Sequence, residues 1–122
     1  MSVISLIKQE KKEICRLDIS KYVGKKDPFF VIFFQPSVSD FLSIQNFFSD
    51  HADEKYAIVN NLFAISRIAK LEDGSSFCES NEQAINELLD NITDFNLIID
   101  LNECLKPAYP TLFPDFTAEK KS

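Results

Sequence analysis

The sequence predicts an α+β fold, and three observations carry the prediction. Before residue 35 a period-two run is followed by a dense β-branched and aromatic run. After residue 37 the apolar residues recur at helical spacing behind recognisable caps. Only two glycines occur in 122 residues, too few for a turn-dense all-β chain. The expected architecture is an N-terminal antiparallel β-hairpin followed by about four α-helices.

The chain opens with Val3, Ile4, Leu6 and Ile7 and then becomes highly charged up to Glu13, which fits either a short amphipathic helix or a frayed start. Cys15, Leu17 and Ile19 alternate with Arg16 and Asp18, the period of a half-buried strand. Lys21 to Pro28 is a polar connection containing Gly24. Phe29 to Phe34 reads Phe-Phe-Val-Ile-Phe-Phe and forms the second arm of the hairpin. Gln35-Pro36 ends it, and Ser37 caps a helix with Asp40 in its first turn, where a carboxylate complements the helix dipole. Val38, Phe41, Leu42, Gln45 and Phe48 mark the expected buried face of that helix, widened by Ile44 and Phe47, and the helix should stop near Ser49.

A longer helix is expected from Asp53 to Leu71. Its apolar positions, from Tyr56 through Val59, Leu62, Phe63, Ile65 and Ile68, exceed one stripe, so it should be the central one. Asp73-Gly74 is a turn, and Phe77-Cys78 a brief extended piece. Ser80 to Gln83 matches a capping box, which starts a helix running to about Asn91. Thr93 is expected to cap the last helix and Pro107 to end it. A single domain over 1–106 and a mobile, extended tail over 107–122 follow. The tail aromatics Tyr109, Phe113 and Phe116 are candidates for docking on a partner.

Composition excludes several classes. The chain is 45% apolar and 26% charged, with twelve Phe and no Trp, which is globular composition. No apolar run approaches the roughly 18 residues of a membrane span, and residues 1–12 lack the apolar region of a secretory leader. The net charge of −6 is unevenly spread. Residues 1–28 carry seven bases and four acids, whereas residues 71–105 carry nine acids and no Lys or Arg. Such a surface disfavours nucleic acid and anionic membrane alike. The acidic block reads either as a solvated helix face or as a docking surface for a basic partner, including the basic N-terminal region of a neighbouring subunit.

Little in the chain points to catalysis. Cys15, Cys78 and Cys104 are odd in number and widely spaced, so they are expected to be free buried thiols in a reducing cytoplasm. His51, the single histidine, lies in the polar run Ser49-Asp50-His51-Ala52-Asp53 and is expected to be a loop residue without a chemical role. Asp90 with Asp94, and Asp100 with Glu103, are carboxylate pairs of the kind that hold a hard cation. Neither pair has a histidine or a glycine-turned loop beside it, so they are expected to be surface acids. There is no phosphate-binding loop, dinucleotide fingerprint, EF-hand spacing or nucleophile elbow. No metal or cofactor is expected.

Phe29 to Phe34 instead suggests an interface. The pleat places Phe29, Val31 and Phe33 on one side and Phe30, Ile32 and Phe34 on the other. A two-stranded hairpin cannot bury both. One face is expected to pack inside the chain and the other to contact a second subunit or a client.

The order of these features resembles the phage tail assembly chaperones of the small, siphophage-like class. The matching phrases are Val31-Ile32-Phe33-Phe34-Gln35-Pro36-Ser37 with Asp40-Phe41, then Ile65 to Ile68, Leu71-Glu72-Asp73-Gly74-Ser75-Ser76-Phe77, Ser80 to Gln83, and Ile98-Ile99-Asp100-Leu101-Asn102. They cover roughly residues 13 to 105. The Phe density and the Pro-aromatic tail depart from the family's pattern. The resemblance implies a non-enzymatic protein of the host cytoplasm that binds the tape measure protein, keeps its apolar helices soluble and assists tail tube assembly. Several such proteins self-associate. A different class, a small acidic partner such as a secretion-type chaperone or immunity protein, fits the same composition, and an enzyme whose site assembles only in three dimensions stays open.

Overall fold

The computed structural model describes residue 3 and residues 12–109 of the chain. Within them lies the α+β fold: a three-stranded antiparallel sheet with five α-helices. Strand β1 (Glu13–Asp18) pairs with β2 (Phe30–Phe34), setting Leu17 opposite Val31 and Asp18 opposite Phe30. A bulge between Glu13 and Cys15 shifts the register at the start of β1. The connection holds a single helical turn, α1 (Ser20–Val23), closed by Gly24 in the left-handed region at φ +69°. Asp18 fastens this connection, because its carboxylate accepts from the backbone N–H of both Ser20 (2.8 Å) and Phe29 (3.2 Å).

Helix α2 (Val38–Asp50) starts at the expected cap. Ser37 Oγ accepts from the Asp40 N–H and the Asp40 carboxylate accepts from the Ser37 N–H, each at 3.1 Å, a reciprocal box. A 3₁₀ turn at Glu54–Tyr56 leads into α3 (Ala57–Ile68). As expected, α3 is the central helix: Val59, Leu62, Phe63, Ala64, Ile65 and Ile68 are all buried.

The sequence places residues 69–71 in that helix, but they form strand β3 (Ala69–Leu71), which pairs antiparallel with β2. The competing demand is the second edge of β2, whose backbone groups would otherwise lie unpaired against the core. Ala69 takes an extended conformation, and the expected Asp73-Gly74 turn folds the chain back directly behind it. The Leu71 N–H donates to the Ser75 carbonyl at 2.8 Å and Gly74 adopts φ +87°. Phe77-Cys78 is not a strand; a lone bridge between Lys70 and Ser76 stands there instead.

Helix α4 (Glu82–Asn91) is capped by Asn81, one residue past the Ser80 start expected, with its side chain accepting from the Ala84 N–H. Ser80 is engaged elsewhere, at 2.9 Å from the Ser66 hydroxyl inside α3. Helix α5 (Phe95–Ala108) is likewise capped by Asp94 rather than Thr93. Pro107 lies within its last turn, and the chain stays packed beyond the expected boundary at 106: Ala108 and Tyr109 are buried in the core. The inner sheet face, α3 and α5 enclose that core, with Phe33, Ile44, Leu62, Ile65, Leu101 and Leu105 among its fully buried side chains.

Candidate protein-binding surface

The six residues of the predicted interface strand divide across the pleat. Val31 and Phe33 are fully buried, and Phe29 packs partly against the same core. On the other face Ile32 is only 7% exposed although it stands apart from the core cluster, opposite Arg16 and Lys70 on the neighbouring strands. Phe30 and Phe34 flank it and are half-buried. The Arg16 guanidinium lies 5.2 Å from the centre of the Phe30 ring and is held there by a two-pronged pair with Glu13 at 2.7 and 2.9 Å. The strand is therefore the middle of a sheet and not a free hairpin arm. Only Phe30 and Phe34 bring aromatic surface towards the outside.

The largest apolar exposure lies elsewhere, on α2. Its buried side is Ile44 with Phe47 and Phe48, and Phe47 stacks on Phe63 at 4.0 Å. Val38 and Leu42 are 76% and 55% exposed, and Phe41 beside them is 36% exposed. This reverses most of the face expected from the sequence. Apolar residues surround this helix, so spacing alone does not say which stripe turns inward; the Phe47–Phe63 stack decides it. Residues 41 and 42 each lie one turn beyond residue 38, so the three make a ridge along one side of the helix.

The ridge borders a groove of about 360 Å³ lined by Ile14, Pro36, Phe41, Pro107 and Tyr109 among others. Tyr109, expected to be a mobile docking aromatic, is interior: its ring lies 5.7 Å from that of Phe41 and its hydroxyl accepts from Gln45 Nε2 at 3.2 Å. Its aromatic bulk finishes the core where α5 ends. Phe113 and Phe116 lie outside the described residues.

A second exposed pair sits at the start of α5, where Phe95 is 60% and Ile99 46% exposed. The neighbouring Asp94 and Leu97 line a cavity of about 530 Å³ whose wall also includes Tyr22, Phe29, Phe77 and Ile92. Tyr22 donates its hydroxyl proton to Asp100 Oδ2 at 2.6 Å, and that bond pushes the Tyr22 pKa up to about 12. Of the nine acids in residues 71–105, seven are exposed, so the block faces solvent.

Three of the four carboxylates in the predicted pairs have structural partners. Asp94 caps α5, Asp100 holds Tyr22, and Glu103 pairs with Lys106 at 3.0 Å. Among the described residues no group of three His, Cys, Asp or Glu side chains converges to hold a metal. His51, expected in a loop, is the C-cap of α2, with its ring stacked on Phe47. Its Nδ1 lies 2.9 Å from the Phe47 carbonyl and its Nε2 3.0 Å from Glu82 Oε2. Both acceptors favour a proton, and the Glu82 bond, with the Phe47 carbonyl, raises the His51 pKa. Neither ring nitrogen is left to activate a nucleophile. Cys15 and Cys104, 89 positions apart, meet with their sulfurs at 2.6 Å, a pairing no local spacing signals.

No helix among the described residues is long and apolar enough to cross a membrane. Comparison of the chain with protein-family models, curated proteins and solved structures finds no match.

Proposed function

We propose that this chain is a non-enzymatic tail assembly chaperone of a phage or prophage. In this reading it binds the tape measure protein in the host cytoplasm and keeps its apolar helices in solution while tail tube subunits assemble. The observation that carries the reading is the ridge of Val38, Phe41 and Leu42 on α2, apolar surface left outside the core of a small domain. An amphipathic client helix would lay its apolar face along such a ridge. The solvated acidic block supports the same role, since like charges keep chaperone and complex soluble while the apolar sites are filled. The resemblance over residues 13 to 105 supplies the client's identity.

The test starts with gene order and ends with binding. A long tape-measure gene directly downstream is expected, and co-expression should bring its otherwise insoluble product into the soluble fraction as a complex with this chain. Leu42→Glu should lose the complex while the variant's circular dichroism stays unchanged. A toxin or effector gene beside it, with binding to that basic product instead, would overturn the tail-assembly reading in favour of a small acidic partner protein. A soluble complex unaffected by Leu42→Glu and Val38→Glu would remove the ridge from the account.

A further inference from the structure

We propose that Cys15 and Cys104 form a redox-responsive pair that closes to a disulfide when Cys15 meets a peroxide, tying β1 to α5. The fold itself brings the two together. Cys15 stands on the inner sheet face, paired with Phe33 in β2, and Cys104 lies on the buried side of α5. With the sulfurs 2.6 Å apart, bond formation asks for less than an ångström of further approach, between elements already packed together.

Access differs between the two thiols and sets the order of events. Cys104 is buried, whereas Cys15 is half-buried on an edge strand, beside the bulge at the start of β1. Cys15 is thus the sulfur a small oxidant reaches first. Its thiolate attacks the O–O bond, one oxygen staying on sulfur as the sulfenic acid and the other leaving as water once protonated. Cys104 sulfur then attacks Cys15 sulfur. The S–S bond forms, the S–O bond breaks, and the hydroxyl leaves with the Cys104 proton as a second water. Two thiols are oxidised and one peroxide is reduced. Burial, with the Cys15 contact second, pushes the Cys104 pKa up to about 12, so this sulfur carries its proton into the second step. Cys78 serves as an internal control: half-buried, and raised to about 11 chiefly by burial, it has no sulfur partner among the described residues.

The inference is independent of any client and is tested on the full-length purified chain. Dilute hydrogen peroxide should reduce the alkylatable thiols from three to one. A non-reduced digest should contain the peptides of Cys15 and Cys104 joined, two hydrogens lighter, with Cys78 free. The oxidised protein should remain monomeric in mass and melt at a higher temperature, a shift that dithiothreitol reverses. Cys104→Ala should abolish the bridge and leave a Cys15 sulfenic acid that a dimedone probe traps. If that variant does not fold, Cys15→Ala, at the less buried position, should give the same loss of the bridge. In denaturing urea the same oxidant should favour Cys78 with Cys104, the pair closest in sequence, because loop closure then governs the choice. Persistence of three thiols in the native protein, a bridge to Cys78, or equal Cys15–Cys104 yield in native and unfolded chains would overturn the proposal.

Discussion

Replacing Asp40 with Ala tests how the exposed ridge of α2 is held in place. The Asp40 side chain is 7% exposed and does two things at once. It closes the capping box with Ser37, and it lies 3.1 Å from Arg67 Nη2 on α3. Asp40→Ala leaves Ser37 Oγ on the residue-40 N–H but removes the carboxylate that accepts from the Ser37 N–H, a bond to a charged group that costs about 1.5 kcal/mol to lose. Breaking a fully buried ion pair from one side costs about 3–5 kcal/mol. The Arg67 side chain is 31% exposed, so water takes up part of the abandoned charge and the ion-pair share falls to roughly 1–2 kcal/mol. The sum is about 3 kcal/mol, a large part of the roughly 5–15 kcal/mol margin of a small domain. Urea unfolding followed by circular dichroism measures it as a lower midpoint at unchanged slope. Arg67→Met should cost less, since Asp40 keeps its bonds to Ser37 and the guanidinium Nε is a buried donor without a partner among the described residues. The double variant should fall short of the sum of the two single losses by about 1 kcal/mol, the coupling energy of the pair. Strict additivity, or an Asp40→Ala loss below about 0.5 kcal/mol, would refute the claim that this carboxylate anchors the ridge.

Three further outcomes follow from other parts of the fold. His51 is stabilised as the cation, so its folded pKa lies above that of the unfolded chain; its contribution is complete below the unfolded value near 6.5 and fades as pH rises through the raised folded value. Melting temperature should therefore decline across that window in the wild type and lose this component in His51→Gln; identical pH profiles would sink the idea. Phe33→Ser on the inner sheet face should leave the chain unfolded or nearly so, given about 3–5 kcal/mol for emptying a buried Phe site plus the stranded hydroxyl, whereas Phe30→Ser, on the half-buried outer face, should leave a folded protein by circular dichroism. Val38→Glu should shift stability by no more than about 0.5 kcal/mol in urea, because its side chain is already in water.

Local chemistry explains which elements the sequence reveals. Ser37 and Asp40 announce the start of α2 because a reciprocal cap needs only those two side chains and their own backbone. Cys15, Leu17 and the Phe run announce β1 and β2 because a pleated strand repeats every second residue. Ala69 to Leu71 gives no such signal. A three-residue strand is shorter than any period that could reveal it, and a helix reading Ile65, Ile68, Ala69 continues through it without a break. Its state is fixed from outside, by the unpaired edge of β2. The cap of α4 is displaced by one residue for a related reason: Ser80 is drawn to Ser66, a contact 14 positions away that local spacing does not encode.

The candidate surface was hidden by the same abundance of apolar residues that suggests it. In the strand, apolar side chains at every position from Phe29 to Phe34 imply surplus hydrophobic area, but β3 and Arg16 take up much of that surplus. In α2, residues 38, 41, 42, 44, 47 and 48 are all apolar, more than a helix of this length can turn inward at once. The partner helix α3 selects among them, and it selects by shape. Phe63 offers a flat face that Phe47 stacks against in near-parallel geometry, and Ile44 fills the space beneath. Once those two are buried, rotation about the helix axis is fixed, and Val38 and Leu42 are carried to the outside. A chain selected only for solubility would place polar residues at those two positions at almost no cost in stability. Val38 and Leu42 are instead large aliphatic side chains, standing on a helix whose start is locked by the buried Asp40 carboxylate, so a partner that docked there would meet a rigid apolar ridge.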